Sequence, residues 1–161
     1  MGAAESLLGR LNELRNSKTL IVGIGSTLRG DDGLAPLLCE KLKGKTCADV
    51  IDTGTVPENY IQQIVKRRPR NLVIVDAVDL GAEPGTIKIV EPVQLDSMII
   101  STHTLSPKVF IDLLGRQIDV NIFFIGVQPA QCGLGQSLST EATCAVEQLK
   151  DIITEIFPPQ P

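Results

Sequence analysis

Thr19-Leu20-Ile21-Val22-Gly23-Ile24-Gly25-Ser26-Thr27-Leu28-Arg29-Gly30-Asp31-Asp32-Gly33 opens as an apolar, β-branched run and closes as a glycine-rich loop carrying two adjacent aspartates. A strand-length run with no polar alternation is covered on both faces, as strands of a parallel sheet are. Asn71-Leu72-Val73-Ile74-Val75-Asp76 repeats the form, apolar and then acidic. Two such strands end at the same edge of a parallel sheet, where α/β proteins hold their ligands. The single histidine, His103, also follows an apolar run. Asp32, Asp76 and His103 therefore make a candidate open-sided metal site, with oxygen and imidazole donors that suit nickel, zinc, iron or manganese.

Working outward from that loop, strands and helices alternate. Leu7, Leu8, Leu11 and Leu14 recur at helical spacing ahead of the first strand. Residues 33–43 read as a helix, 48–51 as a short strand, and Pro57 opens another helix with Ile61 and Ile64 on its apolar side. Residues 86–90 form a strand, taken as part of an edge hairpin; 105–114 form a helix, 120–127 the most apolar strand, and 140–156 a last helix. This order predicts a single-domain, three-layer α/β sandwich, a mostly parallel twisted sheet of about five strands with helices on both faces. The expected division is an N-terminal amphipathic helix over 1–17, the α/β domain over 18–157 and a proline-rich tail over 158–161.

A chain of 161 residues buries a full core without a structural metal or disulfides. The net charge of -4 argues against a general nucleic-acid binder. Lys66-Arg67-Arg68-Pro69-Arg70 is basic, but it falls where a helix ends, and cations favour that position. The four cysteines show neither a C-x-x-C pair nor zinc-ribbon spacing, so they read as reduced thiols, with Cys39 and Cys144 expected to be buried in their helices. No signal peptide is evident and no stretch reaches the ~18 apolar residues of a membrane span. A cytoplasmic protein is expected.

Two tempting motifs point elsewhere. Gly23-Ile24-Gly25 begins like a dinucleotide-binding fingerprint, yet the third glycine comes late and two aspartates follow, where negative charge repels phosphate. The glycines instead let the chain turn and hold the acidic pair over the sheet edge; Asp31 is expected to cap the following helix, leaving Asp32 for chemistry. Asp52-Thr53-Gly54 spells the triplet of pepsin-like proteases, but those need an all-β framework and a second copy of the site. Here it reads as a turn between strand and helix lining the same cleft.

Gly23 to Gly33, Asp52-Thr53-Gly54-Thr55-Val56-Pro57-Glu58-Asn59, Leu72-Val73-Ile74-Val75-Asp76-Ala77 and Ser101-Thr102-His103-Thr104 together resemble the nickel-iron hydrogenase maturation proteases, in order and spacing, over residues 18–157. The Val56 to Asn59 segment and Gly126-Val127-Gln128-Pro129 bring the likeness nearest to the branch acting on the large subunit of hydrogenase 3. The resemblance implies an endopeptidase, grouped with aspartic-type peptidases, that removes a C-terminal extension from the large-subunit precursor after nickel insertion. It implies that Asp32, Asp76 and His103 contact nickel supplied by the precursor, and that Asp32 or Asp76 is catalytic as the base acting on a water. Two other classes fit parts of the pattern. A receiver-like signalling domain also places aspartates after its first and third strands, but the last strand here ends without the lysine receivers use. A nickel-sensing assembly protein would bind the same precursor without cutting it.

Overall fold

The computed structural model describes residues 3–97 and 106–161. Its centre is a five-stranded sheet of β1 (Thr19–Gly23), β2 (Asp49–Asp52), β3 (Asn71–Ala77), β4 (Ile87–Val90) and β5 (Asn121–Val127), in spatial order β2-β1-β3-β5-β4. Every pairing is parallel except that of β4 with β5. β3 is buried at all of its positions, which is why its sequence shows no alternation. β4 is an edge strand as expected, but it pairs with β5 and makes no hairpin with β3.

Among the described residues five α-helices cover the sheet: α1 (Ala3–Asn12), α2 (Leu34–Leu42), α3 (Ile61–Arg67), α4 (Pro107–Gly115) and α5 (Thr140–Ile156). Leu11 of α1, Leu38 of α2 and Leu149 of α5 join Ile21, Val73, Val75 and Ile125 in one core. Ile64 of α3 and Phe110 of α4 join Leu20, Val22, Leu72, Ile74 and Phe124 in the other. Successive residues of β1, β3 and β5 thus feed opposite cores, and the expected three layers follow directly from the period-two pleat.

Helix boundaries follow local chemistry. Residues 30–33 and 57–60 form 3-10 turns ahead of α2 and α3, so the first helical segment is a tight turn followed by a true α-helix. Ser106 and Ser139 cap α4 and α5 by accepting from the Val109 and Ala142 amides. Beyond α3, Arg68 adopts a left-handed conformation with φ of 50°, ending the helix inside the basic run. A further 3-10 segment, Pro92–Ser97, was not anticipated. One cysteine expectation fails: Cys39 is buried, and burial together with nearby Asp52 pushes its thiol up to about 12, but Cys144 is exposed. The apolar stripe of α5 runs through Ala142, Ala145, Val146 and Leu149, and position 144 lies off it. Among the described residues no helix is long and apolar enough to cross a membrane.

Candidate active site

The order of the sheet reverses at β1. From β1 the chain moves outward to β2, then returns past β1 to β3, leaving β1 and β3 side by side with their carboxyl ends together. Such a switch point opens the crevice in which α/β proteins bind ligands. Asp76 lies at this end of β3, in register with Gly126 of β5, and is fully buried. Its place in the alternation, between Ile74 and Val78, sets it on the face covered by α3 and α4. Asp32 comes from the turn after β1, which packs against β3, and is 1% exposed.

Backbone geometry fixes the Asp32 loop. Gly25 has φ of 154°, and a side chain there would overlap the Asp32 carbonyl. Gly30 has φ of 52°, and a Cβ would come within 2.6 Å of the Gln131 carbonyl oxygen. Only glycine meets both the conformation and the close approach. The Ser26 amide donates to Asp32 Oδ2 at 2.8 Å, which turns this carboxylate back toward the start of its own loop.

Asp31 corrects an expectation. α2 begins with no side-chain cap, and Asp31 faces the loop between β5 and α5 instead. Its Oδ2 accepts from the Ala130 amide at 2.7 Å, the Gln131 amide at 3.2 Å and the Ser139 hydroxyl at 2.7 Å, and its Oδ1 accepts from the Ser139 amide at 2.7 Å. Those donors satisfy a wholly buried carboxylate. Ser139 is also the cap of α5, so Asp31 ties the turn carrying Asp32 to the start of the last helix. The Ser-Thr step ahead of an apolar-periodic segment marks Ser139 as a cap, but its bond across 108 positions has no local signature.

The Asp52-Thr53-Gly54 triplet is structural, as its reading as a turn holds. Thr53 is buried and both its amide and its hydroxyl donate to the Gly23 carbonyl at 2.9 Å. Asp52 is exposed and accepts from the Gly54 amide, while the Gly54 carbonyl accepts from Gly25. The triplet thereby staples the end of β2 to the loop that carries Asp32. Gln128 does the same on the other side: its Oε1 accepts from the Leu80 and Ala82 amides, holding the chain that leaves Asp76. Composition gave no sign of that role for Gln128.

The structure brings Asp32 and Asp76 to one edge of the sheet. His103, the third member of the expected set, lies outside the described residues. Among the described residues no group of three His, Cys, Asp or Glu side chains forms a metal cage.

Comparison with known proteins agrees with this architecture. A model of the hydrogenase maturation protease family HycI matches residues 34–156. The hydrogenase 3 maturation protease of Escherichia coli K12 is 37% identical over 131 residues, covering 80% of this chain and 83% of the relative. The crystal structure of a nickel-iron hydrogenase maturation protease HycI from Thermococcus kodakarensis superposes with a TM-score of 0.81 at 32% identity, covering 91% of this chain and 97% of that one. The solution structure of an endopeptidase HycI from Escherichia coli gives 0.79 at 35% identity, with 86% and 90% covered. With its sheet order, its pinned acidic loop and these likenesses, the chain belongs to the hydrogenase maturation protease family.

Proposed function

We propose that this protein cuts the C-terminal extension from a nickel-iron hydrogenase large-subunit precursor, in the cytoplasm, once nickel has been inserted. The observation that carries the reading is the pair of buried carboxylates, Asp32 and Asp76, at the switch point of a fold belonging to a protease family. Hard carboxylate oxygens at such a crevice are suited to a divalent metal. The nickel belongs to the substrate. Asp32, Asp76 and His103 contact it on the precursor, so that only a loaded subunit is held in register; His103 stands three residues before the Ser106 cap of α4, the helix covering the Asp76 face.

The chemistry is of the aspartic type. Asp32 or Asp76 takes a proton from water as the water oxygen attacks the scissile carbonyl carbon. The tetrahedral intermediate then expels the amine, which receives that proton, and the C–N bond breaks. Nickel on the precursor polarises the water or the carbonyl. Asp32→Asn and Asp76→Asn keep size while one removes the base and the other a charged nickel contact, and each is expected to lower the cleavage rate of a loaded precursor at least about a hundredfold. Near-normal cleavage by both variants, read by intact mass, would reject the assignment.

A further inference from the structure

β2 is an outer strand of the sheet, paired along one side with β1. Thr53 donates its amide inward to Gly23, so the alternation of a strand turns the N–H and C=O groups of Val50 and Asp52 outward. Natural sheets commonly blunt or cover such an edge. Here a groove of about 660 Å³ runs along it, walled by Leu37 and Glu40 of α2 and Gln63 of α3. Lys43 and Arg67 stand at the amino end of β2, where Arg67 lies 3.6 Å from Asp49. At the carboxyl end the groove reaches Thr27, Pro36 and Asp52, and the same three residues line a second hollow with Gly25 and Ser26. Ser26 donates to Asp32, so the groove leads from a sheet edge to the catalytic loop.

We propose that the outer edge of β2 receives the precursor's C-terminal extension as an added antiparallel strand and feeds its scissile bond to Asp32 and Asp76. The proposal rests on the processing function given above. Direction follows from size and charge. The folded body of a precursor does not enter a groove of this volume, so the tail beyond the scissile bond occupies it, running from the carboxyl toward the amino end of β2. The terminal carboxylate then arrives at Lys43, beside the Arg67–Asp49 ion pair, whereas the opposite direction would set it against Asp52. Backbone pairing supplies affinity on a strand edge, and the flanking walls supply selectivity.

Steady-state cleavage of nickel-loaded precursor by the full-length protein tests this. Val50→Pro deletes one outward N–H at an edge position that admits proline, and Lys43→Glu reverses charge at the far end of the groove. Each is expected to raise KM about five- to tenfold with kcat little changed. Arg116→Glu, the same charge change beyond α4, is expected to leave both constants at wild-type values. Thermal unfolding separates lost docking from lost folding; if Val50→Pro melts early, Lys43→Glu at its exposed position carries the test. A wild type that leaves loaded precursor intact rejects the processing function itself. A wild type that cuts, with KM unchanged in the folded variants, rejects only the docking edge. A dimer in sedimentation that Val50→Pro dissociates without moving KM would give the edge to a second copy and overturn the proposal.

Discussion

Asp31 and Asp32 are adjacent, equally buried and of one chemical type, yet their surroundings separate them. Asp31 gathers donors from the 130–139 loop and from Ser139 at the head of α5, whereas Asp32 accepts from Ser26 within its own turn. Removing the Asp31 carboxylate takes away four charge-assisted hydrogen bonds at once and leaves their part-buried donors without this partner. Asp31→Ala is therefore expected to lower unfolding free energy by about 3 kcal/mol or more, measured by denaturant titration. Loss of less than about 1 kcal/mol would contradict its role as the clamp. Which of two neighbouring aspartates serves the fold cannot be read from Gly30-Asp31-Asp32-Gly33, because the donors that decide it lie some hundred positions away. The glycines were readable: a loop that must turn sharply under a buried acid needs residues like Gly25 and Gly30, and their positive φ values agree.

Between elements, α2 and α5 are joined by a small ionic group. Glu147 accepts from Lys41 of α2 at 2.6 Å and from Lys150 of its own helix at 2.7 Å, and the two cations draw its carboxyl down to about 2. A carboxyl lowered by folding adds stability above its unfolded value near 4.5, and that contribution fades as pH falls toward 2. All of these side chains reach solvent, so the effect is modest and screened by salt. Glu147→Gln is expected to flatten the loss of thermal stability between pH 4.5 and 2 at low ionic strength; an acid limb identical to that of the wild type would contradict the linkage. Elements with strong patterns were readable in advance. The boundaries of α5 match its apolar stripe, and β3 matches its uninterrupted burial. Cys144 was misplaced because a cysteine beside an apolar stripe resembles one on it, and a single position decides between core and solvent. The 3-10 segment at Pro92–Ser97 escaped notice because its sequence carries no helical period.

Across the whole molecule, the strand order brings Asp32 and Asp76 to one edge of the sheet. The carboxyl ends of β1 and β3 lie side by side because the chain goes out to β2 and comes back, and the antiparallel β4 closes the far side of the sheet beyond β5. That arrangement departs from the flavodoxin-like order of receivers, in which the fourth and fifth strands follow the third in sequence. Alternating apolar runs and helical patterns are sufficient to anticipate the layers and an edge strand at 86–90, but not its partner, since nothing in a short strand such as Ile87–Val90 chooses β5 over β3. In the proposed function, the precursor's nickel licenses cleavage at Asp32 and Asp76. The most direct measurement is the intact mass of a hydrogenase large-subunit precursor incubated with this protein, with and without inserted nickel. Nickel-gated cleavage gives loss of a C-terminal peptide from the loaded precursor alone; equal cleavage of both forms, or an uncut precursor shown to carry nickel, would rule it out.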